Sequence, residues 1–334
     1  MKKICLIHTG GTFGMMPAEP THVLAPADIR NLITGYLPEI EKIAQVDFEV
    51  AFNLDSANIQ PHHWQLLGNI IQKNYSNYDG FVIIHGTDAM VYTACALSFM
   101  LQGLNKPVIL TGSQRPLALI RSDARSNLIN SIELATHDIP EVAIFFGTYL
   151  FRGNRAVKIS STSYEAFASP NYPELAEVGL DILLSDYILS GGDKLIFHDR
   201  FKNSVFSFRF FPGLNPDFLD FIIHSSLEAV VVEALGVGNL AILENSIIPW
   251  IESMTKAGKI VVICSQSAYG YIDLELYECG RKISDAGGIP AADMTPTAAI
   301  VKLMYLLGTY PQQPDEIRNN FLKPIAGEIS EKIN

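Results

Sequence analysis

Three short polar stretches each follow a run of strand-forming residues, and together they carry the groups of a nucleophilic hydroxyl site. They are residues 9–12 (Thr-Gly-Gly-Thr), 55–56 (Asp-Ser) and 85–88 (His-Gly-Thr-Asp). In an open parallel α/β sheet, ligands bind in the crevice beyond the carboxyl ends of the strands. We therefore expect these hydroxyls, carboxylates and glycines to meet at one edge of one sheet. The glycine turn has neither the lysine nor the spacing of a phosphate-binding loop.

Thr12 is a candidate nucleophile, and a tight strand-to-helix turn capped by this threonine is the alternative interpretation of residues 10–12. As a nucleophile it needs assistance, because a threonine hydroxyl is weakly nucleophilic at its ordinary pKa. Thr87 and Asp88 offer a second hydroxyl backed by a carboxylate. A neighbouring lysine can complete a proton relay where desolvation disfavours its ammonium form. Lys158 is the candidate for that role, since it lies in an irregular segment that we expect to fold back over the sheet edge. A solvated surface lysine is the alternative interpretation.

Asp55 and Ser56 suit the recognition of a free amino acid. Ser56 can donate to an α-carboxylate, and Asp88 can pair with an α-ammonium through a charge-assisted hydrogen bond. A simple turn after the second strand is the alternative interpretation of residues 55–56.

The elements that must position these groups alternate along the chain. Strand-like runs are present at residues 3–8, 47–53, 80–85, 107–111 and 142–146, and helical patterns lie near residues 27–35, 62–74, 89–103 and 123–137. This alternation predicts right-handed βαβ units and a parallel sheet. Residues 149–178 show weak periodicity, and a second α/β pattern begins near Val205.

Length predicts two domains, because 334 residues exceed what one hydrophobic core usually fills. We predict an α/β fold with an N-terminal domain over residues 1–190 that carries the nucleophile and substrate site. A linker over residues 191–204 and a smaller C-terminal α/β domain over residues 205–334 follow. The larger domain has a mostly parallel sheet flanked by helices, and Asp88 and Asp123 are placed as N-caps of its third and fourth helices.

Composition argues against several classes of partner. The net charge is −11, whereas nucleic acids are bound by clustered Lys and Arg, so we expect no nucleic-acid partner. No apolar run is long enough to span a bilayer, so we expect no membrane association and a cytoplasmic location. No spacing of His, Cys or Glu indicates a metal, and we predict neither a metal nor a cofactor.

Nine short motifs occur in order along nearly the whole chain. They are TGGTFGM (9–15), LDS (54–56), GFVIIHGTD (80–88), TGSQ (111–114), RSD (121–123), LFRGNR (150–155), AFASPN (166–171), GVGN (236–239) and ADMT (292–295). On these motifs the sequence resembles the bacterial L-asparaginases, and their cytoplasmic type I branch most closely.

The resemblance implies hydrolysis of L-asparagine to L-aspartate and ammonia through a covalent acyl-enzyme. It implies a larger and a smaller α/β domain, assembled as a homodimer or homotetramer. It also implies that Thr12 is the nucleophile and that Thr87, Asp88 and Lys158 form a second triad.

The substrate contacts are implied by the same resemblance. Asp55 and Ser56 match residues that hold the α-amino and α-carboxylate ends, and Asp88 matches the group that holds the ammonium. The backbone of Gly86 and Thr87 would help to hold the carboxylate and the oxyanion. Asn239 matches a turn that approaches the site of the partner subunit.

Two departures from the family pattern are present. The lid after the nucleophile, residues 15–26, should carry a tyrosine, and His22 stands at that spacing. We expect His22 to take the same role and to make activity sensitive to pH. Regulated type I members hold a second asparagine with a threonine, an arginine and a cysteine, where this chain has Val157, Glu233 and Ser267.

Two alternatives to a free-asparagine hydrolase stay open. An amidotransferase component that produces ammonia for transfer-RNA-bound glutamate shares the site, although it carries a further N-terminal domain that we do not expect before Thr12. A catalytically inactive amino-acid sensor is the second alternative, against which the two threonines and Lys158 argue.

Overall fold

The structure, a computed structural model, describes residues 1–18, 23–26 and 28–330 of the chain. The chain divides into two compact units, Met1–Asp199 and Arg200–Asn334. The division falls within residues 191–204, the segment that the sequence marks as a linker. Part of that segment is a strand of the first unit, so the predicted linker is not a free connection.

The first unit combines short and long strands with four α-helices in its described ranges. The strands are β1 (Lys3–Gly10), β2 (Met15–Ala18), β3 (Val23–Pro26), β4 (Gln45–Leu54), β5 (Gly80–Ile84), β6 (Leu101–Gln102), β7 (Val108–Thr111), β8 (Val142–Phe146), β9 (Tyr149–Arg152), β10 (Val157–Lys158), β11 (Phe167–Ala168), β12 (Ala176–Val178), β13 (Ile182–Leu184) and β14 (Ile196–Phe197). The helices are α1 (Ile29–Tyr36), α2 (Pro61–Asn74), α3 (Met90–Met100) and α4 (Ala124–Leu134).

Eight strands of this unit form one sheet in the order β13-β12-β9-β8-β7-β5-β1-β4. The strands from β8 to β4 are parallel to one another, and β9, β12 and β13 continue the sheet in antiparallel fashion. After β1 the chain adds β4 on one side and then β5 on the other. The strand order therefore reverses between β1 and β5, and in open α/β sheets ligands bind at such a reversal.

The centre of this sheet is apolar on both faces. All five residues of β5 are buried, as is typical of a parallel strand covered by helices on each side. One cluster of buried side chains includes Leu6 of β1, Val82 of β5 and Ile109 of β7. Burial of this kind fixes the register of the strands and hence the positions of the loops at their carboxyl ends.

One of the two predicted helix caps is wrong. The N-cap of α3 is Ala89, and no side chain caps that helix; the carboxylate of Asp88 is bonded to Lys158 instead. Asp123 is the N-cap residue of α4, but its carboxylate accepts hydrogen bonds from the backbone N–H groups of Gln114 and Arg115 and does not cap the helix. In both cases the carboxylate forms a tertiary contact and does not cap the helix.

Two segments expected to be irregular contain hairpins. Strands β2 and β3 pair antiparallel directly after the candidate nucleophile, while His22 of the predicted lid lies outside the described residues. Within residues 149–178, β10 and β11 form a hairpin that carries Lys158 at its first strand.

The second unit has a four-stranded parallel sheet in the order β15-β16-β17-β18. Its strands are β15 (Val205–Arg209), β16 (Ala229–Ala234), β17 (Ile260–Ser265) and β18 (Gly288–Pro290), and its helices are α5 (Asp220–His224), α6 (Ile248–Lys256), α7 (Glu278–Asp285), α8 (Pro296–Thr309) and α9 (Pro314–Phe321). The predicted α/β fold with a large, mostly parallel sheet and a separate smaller α/β unit is confirmed. Across the described ranges, no helix is both long enough and apolar enough to cross a membrane.

Candidate active site

Close backbone packing at glycines brings the three polar loops together. Gly10 and Gly11 have φ angles of 109° and 85°, and Gly11 N donates to Leu54 O at 3.1 Å. A Cβ atom on Gly11 would lie 2.5 Å from Gly86 Cα, and one on Gly86 would lie 2.7 Å from Ser56 Oγ. Any side chain at Gly11 or Gly86 would therefore push apart the loops that follow β1, β4 and β5.

Thr12 follows this glycine contact directly. It begins a short 3₁₀ helix, Thr12–Gly14, in which Phe13 is buried, and Leu117 N donates to Phe13 O at 3.1 Å. Thr12 itself is half-buried. Because Gly11 lies against Gly86, the backbone of Thr12 lies beside the loop that carries Thr87.

Lys158 joins the two polar groups that follow β5. Its Nζ donates to Thr87 Oγ1 at 2.8 Å and to Asp88 Oδ1 at 2.5 Å. The lysine side chain is 17 % exposed and that of Asp88 is 70 % exposed. The amine is therefore largely withdrawn from solvent, while the carboxylate remains open to a ligand.

Ser56 and Asp55 lie on the neighbouring loop. Ser56 is buried, and its Oγ accepts a long hydrogen bond of 3.4 Å from Ala89 N. Asp55 is exposed, and its Oδ1 accepts from Ala57 N at 2.9 Å, which caps the 3₁₀ helix Ser56–Asn58. The cap fixes the direction of the Asp55 side chain at the mouth of the same edge.

A buried hydrogen-bond chain supports the loop after β5. His85 Nδ1 lies 2.7 Å from Gly86 O, its Nε2 lies 2.9 Å from Thr93 Oγ1, and Trp64 Nε1 donates to Thr93 Oγ1 at 3.1 Å. Because a carbonyl only accepts, Nδ1 carries the proton and Nε2 accepts from the threonine. Burial lowers the pKa of His85 to about 4, which keeps the ring neutral at pH 7.

The sequence motifs do not predict that Thr93 and Trp64 support this loop. The one available signal is that Thr93 is a hydroxyl residue within a largely apolar helix, and Ser98 of the same helix gives a similar signal. A buried polar side chain requires a partner, but only the packing of α2 against α3 identifies that partner.

The remaining predicted site residues lie elsewhere. Asn239 belongs to the second unit, in the turn after β16, where its N–H donates to Leu235 O at 2.8 Å. His22 lies outside the described residues. Glu233 accepts from Arg209 Nη2 at 2.9 Å, so its carboxylate is already paired within the second unit.

Two further observations bear on cofactors. Within the described ranges, no group of three or more His, Cys, Asp or Glu side chains is placed to hold a metal ion. The four cysteines are all buried, free thiols.

Fold and site together define a class, namely two-domain α/β proteins with hydroxyl residues at the switch point of a parallel sheet. Comparisons with known proteins specify the family within that class. Residues 3–186 match the model of the asparaginase N-terminal domain, and residues 204–321 match that of the glutaminase/asparaginase C-terminal domain. The chain therefore belongs to the asparaginase family.

Individual relatives agree with this result. The chain is 36 % identical to L-asparaginase 1 of Escherichia coli over 98 % of each sequence. It is 34 % identical to a glutamyl-tRNA(Gln) amidotransferase subunit of Pyrococcus abyssi, over 99 % of this chain and 77 % of that protein. The solved structure of the thermostable L-asparaginase from Thermococcus kodakarensis superposes with a TM-score of 0.91 at 33 % identity, covering 99 % of this chain and 100 % of that one.

Proposed function

We propose that the protein hydrolyses L-asparagine to L-aspartate and ammonia through an acyl-enzyme on Thr12. The observation that carries the proposal is the contact of Lys158 Nζ with both Thr87 Oγ1 and Asp88 Oδ1, on the loop against which Gly11 packs. This contact supports a proton relay for the Thr12 hydroxyl, which is the assistance that such a nucleophile requires.

The first chemical step is attack of Thr12 Oγ on the side-chain amide carbon of the substrate. The hydroxyl proton passes towards Lys158 through Thr87 and returns to the amide nitrogen as the carbon–nitrogen bond breaks, so that the nitrogen leaves as ammonia. Water then hydrolyses the threonine ester and releases aspartate. Backbone N–H groups of Gly86 and Thr87 are the proposed donors to the developing oxyanion, where fixed dipoles contribute most.

In this proposal the substrate binds directly beside the relay. The α-ammonium of the substrate pairs with the exposed carboxylate of Asp88, which already contacts Lys158 Nζ. The same amine contacts Thr87 Oγ1, so the bound substrate is held next to both residues of the relay.

We propose that Ser56 binds the α-carboxylate of the substrate. Among the described residues, its buried hydroxyl has only a long hydrogen bond from Ala89 N, so it is free to rotate and donate to a carboxylate. Asp55 is proposed to hold the α-amino end from the opposite side of the loop. His22 is proposed to contact the nucleophile from the lid.

We propose a homo-oligomer in which Asn239 reaches the site of a partner subunit. A groove of about 480 Å³ on the second unit includes Asn239 and Leu235. Leu235 in this groove is 38 % exposed, and Phe211 and Leu243, which adjoin groove residues in the sequence, are 55 % and 86 % exposed. Exposed apolar patches mark interaction surfaces. Light scattering of the purified protein tests this; a monomer at micromolar concentration would contradict it.

We also propose a cytoplasmic location.

An amidotransferase component is the second candidate, because the relative from Pyrococcus abyssi is nearly as similar as the asparaginase of Escherichia coli. Release of ammonia from free asparagine by the purified protein separates the two. An amino-acid sensor would bind asparagine without any release of ammonia.

The test of the proposal is Thr12→Ala. Because the change removes one half-buried hydroxyl and its methyl group, we expect it to lower kcat by about 10³-fold or more with an unchanged melting temperature. Thr12→Ser keeps the hydroxyl and is the matched control, with activity well above that of Thr12→Ala. Retention of a tenth of the wild-type rate by Thr12→Ala would mean that another group is the nucleophile.

A further inference from the structure

A groove of about 470 Å³ opens on the first unit beside, but separate from, the candidate active site. One wall is the loop after β7, and the other is the loop that joins β10 to β11, directly after Lys158. The residues that line it are Gln114, Arg115, Arg121, Ser161, Thr162 and Tyr164. Thr12, Thr87, Asp88 and Lys158 do not line this groove.

The charge of the groove is positive in a chain of net charge −11. Both Arg115 and Arg121 are exposed, and neither forms an ion pair with any acidic side chain in the part of the chain that the structure describes. Arg115 Nη1 donates to Arg121 O at 3.2 Å, which directs its guanidinium towards the second arginine. Two guanidinium groups without an acidic partner attract an anion.

The loops that form the groove are held in place by the protein itself. The carboxylate of Asp123 accepts from Gln114 N at 2.9 Å and from Arg115 N at 3.1 Å. Across the groove, Gln114 Nε2 donates to Ser163 O at 3.0 Å and Tyr164 OH donates to Arg121 O at 3.0 Å. A site that is shaped before binding loses less entropy when a ligand enters.

Asp123 does not neutralise the two arginines. It is buried, and its oxygens are occupied by backbone N–H groups and by Asn127 Nδ2 at 3.3 Å. The groups that face the groove are therefore guanidinium, hydroxyl and amide donors, together with the ring of Tyr164.

We propose that this groove binds a small ligand that carries a carboxylate or phosphate group. The planar fork of an arginine matches two oxygens of either group, and the hydroxyls of Ser161 and Thr162 add donors. The ring of Tyr164, 38 % exposed, offers an apolar face to the rest of the ligand. A volume of about 470 Å³ falls in the range of small-molecule sites.

Calorimetric titration tests the site with two probes, inorganic phosphate and succinate, at constant ionic strength. We expect saturable binding of at least one probe, with one site per chain in the groove. Arg121→Gln should weaken that binding by about ten-fold or more, since it removes charged hydrogen bonds. The side chain of Arg121 makes no hydrogen bond within the described residues, so the variant is expected to fold normally, which thermal denaturation checks. Arg121→Lys keeps the charge but loses the planar fork, so its affinity for the probe should lie between those of the wild type and Arg121→Gln.

Arg281→Gln, an exposed arginine on the second unit, is the matched control for loss of one charge and should bind as the wild type does. Binding of phosphate alone or succinate alone identifies the group that is recognised, and binding of both supports a shared oxyanion site. Absence of saturable binding of either probe would overturn the proposal. Equal affinity in Arg121→Gln would also overturn it, because the anion would then bind elsewhere.

Discussion

A single amine connects the two polar residues that follow β5. Lys158 Nζ lies within hydrogen-bond distance of a hydroxyl and a carboxylate at once, although it comes from a hairpin seventy residues further along the chain. Residues that act as one relay lose activity together, so the effects of removing them do not add.

The relay predicts the outcome of a double-mutant cycle. Thr87→Val and Lys158→Met should each lower kcat by about 10³-fold, and the double variant should be little slower than either alone. Steady-state ammonia release measures all four proteins. Losses that add on a logarithmic scale would show that Thr87 and Lys158 act independently.

His85 predicts how stability depends on pH. Its pKa is lowered from 6.5 to about 4 by burial, so the unfolded chain binds more protons between these values. The contribution of His85 to the free energy of unfolding is therefore complete above pH 6.5. It is lost as the pH falls towards 4, and the total loss is on the order of 3 kcal/mol. Urea denaturation between pH 7 and pH 4 measures this.

The comparison is between wild type, His85→Gln and the exposed His62→Gln. The free energy of unfolding of His85→Gln should fall less steeply below pH 6.5, because that variant has one buried imidazole fewer. His8, whose pKa burial also lowers to about 4, remains in all three proteins. Identical slopes in His85→Gln and wild type would show that His85 is not the group that titrates.

At the scale of elements, the approach of the loops after β1 and β5 decides whether the site forms. Gly11 has a φ of 85°, and a Cβ atom there would lie 2.5 Å from Gly86 Cα. We expect Gly11→Ala to lower kcat by about 10²-fold, because a displacement of the reacting group by about 1 Å has an effect of that size.

Gly213→Ala is the control that distinguishes the effect of pushing two loops apart from the effect of backbone strain. Gly213 has a similar φ of 95°, but a Cβ atom there would meet nothing within 4 Å. Both variants should lose roughly 1 kcal/mol of stability from the positive φ angle. Gly11→Ala should lose more than this because its Cβ atom also meets the backbone of Gly86, and only Gly11→Ala should lose activity. Equal activities would mean that the loops tolerate separation.

At the scale of the whole molecule, Glu233 bears on whether asparagine regulates the activity. Glu233 occupies the position at which regulated type I relatives are expected to hold a second asparagine with an arginine, and its carboxylate is paired with Arg209. A carboxylate at this position repels the carboxylate of an amino acid, so we expect no second asparagine to bind there and to couple to the first. We expect a hyperbolic dependence of rate on asparagine, with a Hill coefficient of about one. A coefficient clearly above one in steady-state assays, or asparagine bound beside Glu233 in a crystal, would contradict this.

The sequence alone predicts the main strands because they are apolar runs bounded by turn residues, as at Gly80–Ile84. It misses short helices such as Glu278–Asp285 and Pro314–Phe321. Helices of two turns are marginal in isolation and form because one face packs on a neighbouring strand or helix, so their local sequence carries little signal.

For the site, the sequence determines which groups are present and the strand end at which each one lies. The motifs place Thr12 after β1 and Thr87 with Asp88 after β5, and parallel strands bring such ends to one edge. Only the tertiary structure decides that Asp88 pairs with Lys158 instead of capping α3. It also decides that Thr93 and Trp64 hold His85. Contacts between residues distant in the chain depend on how sheets and helices pack, and no local pattern of residue types encodes that packing.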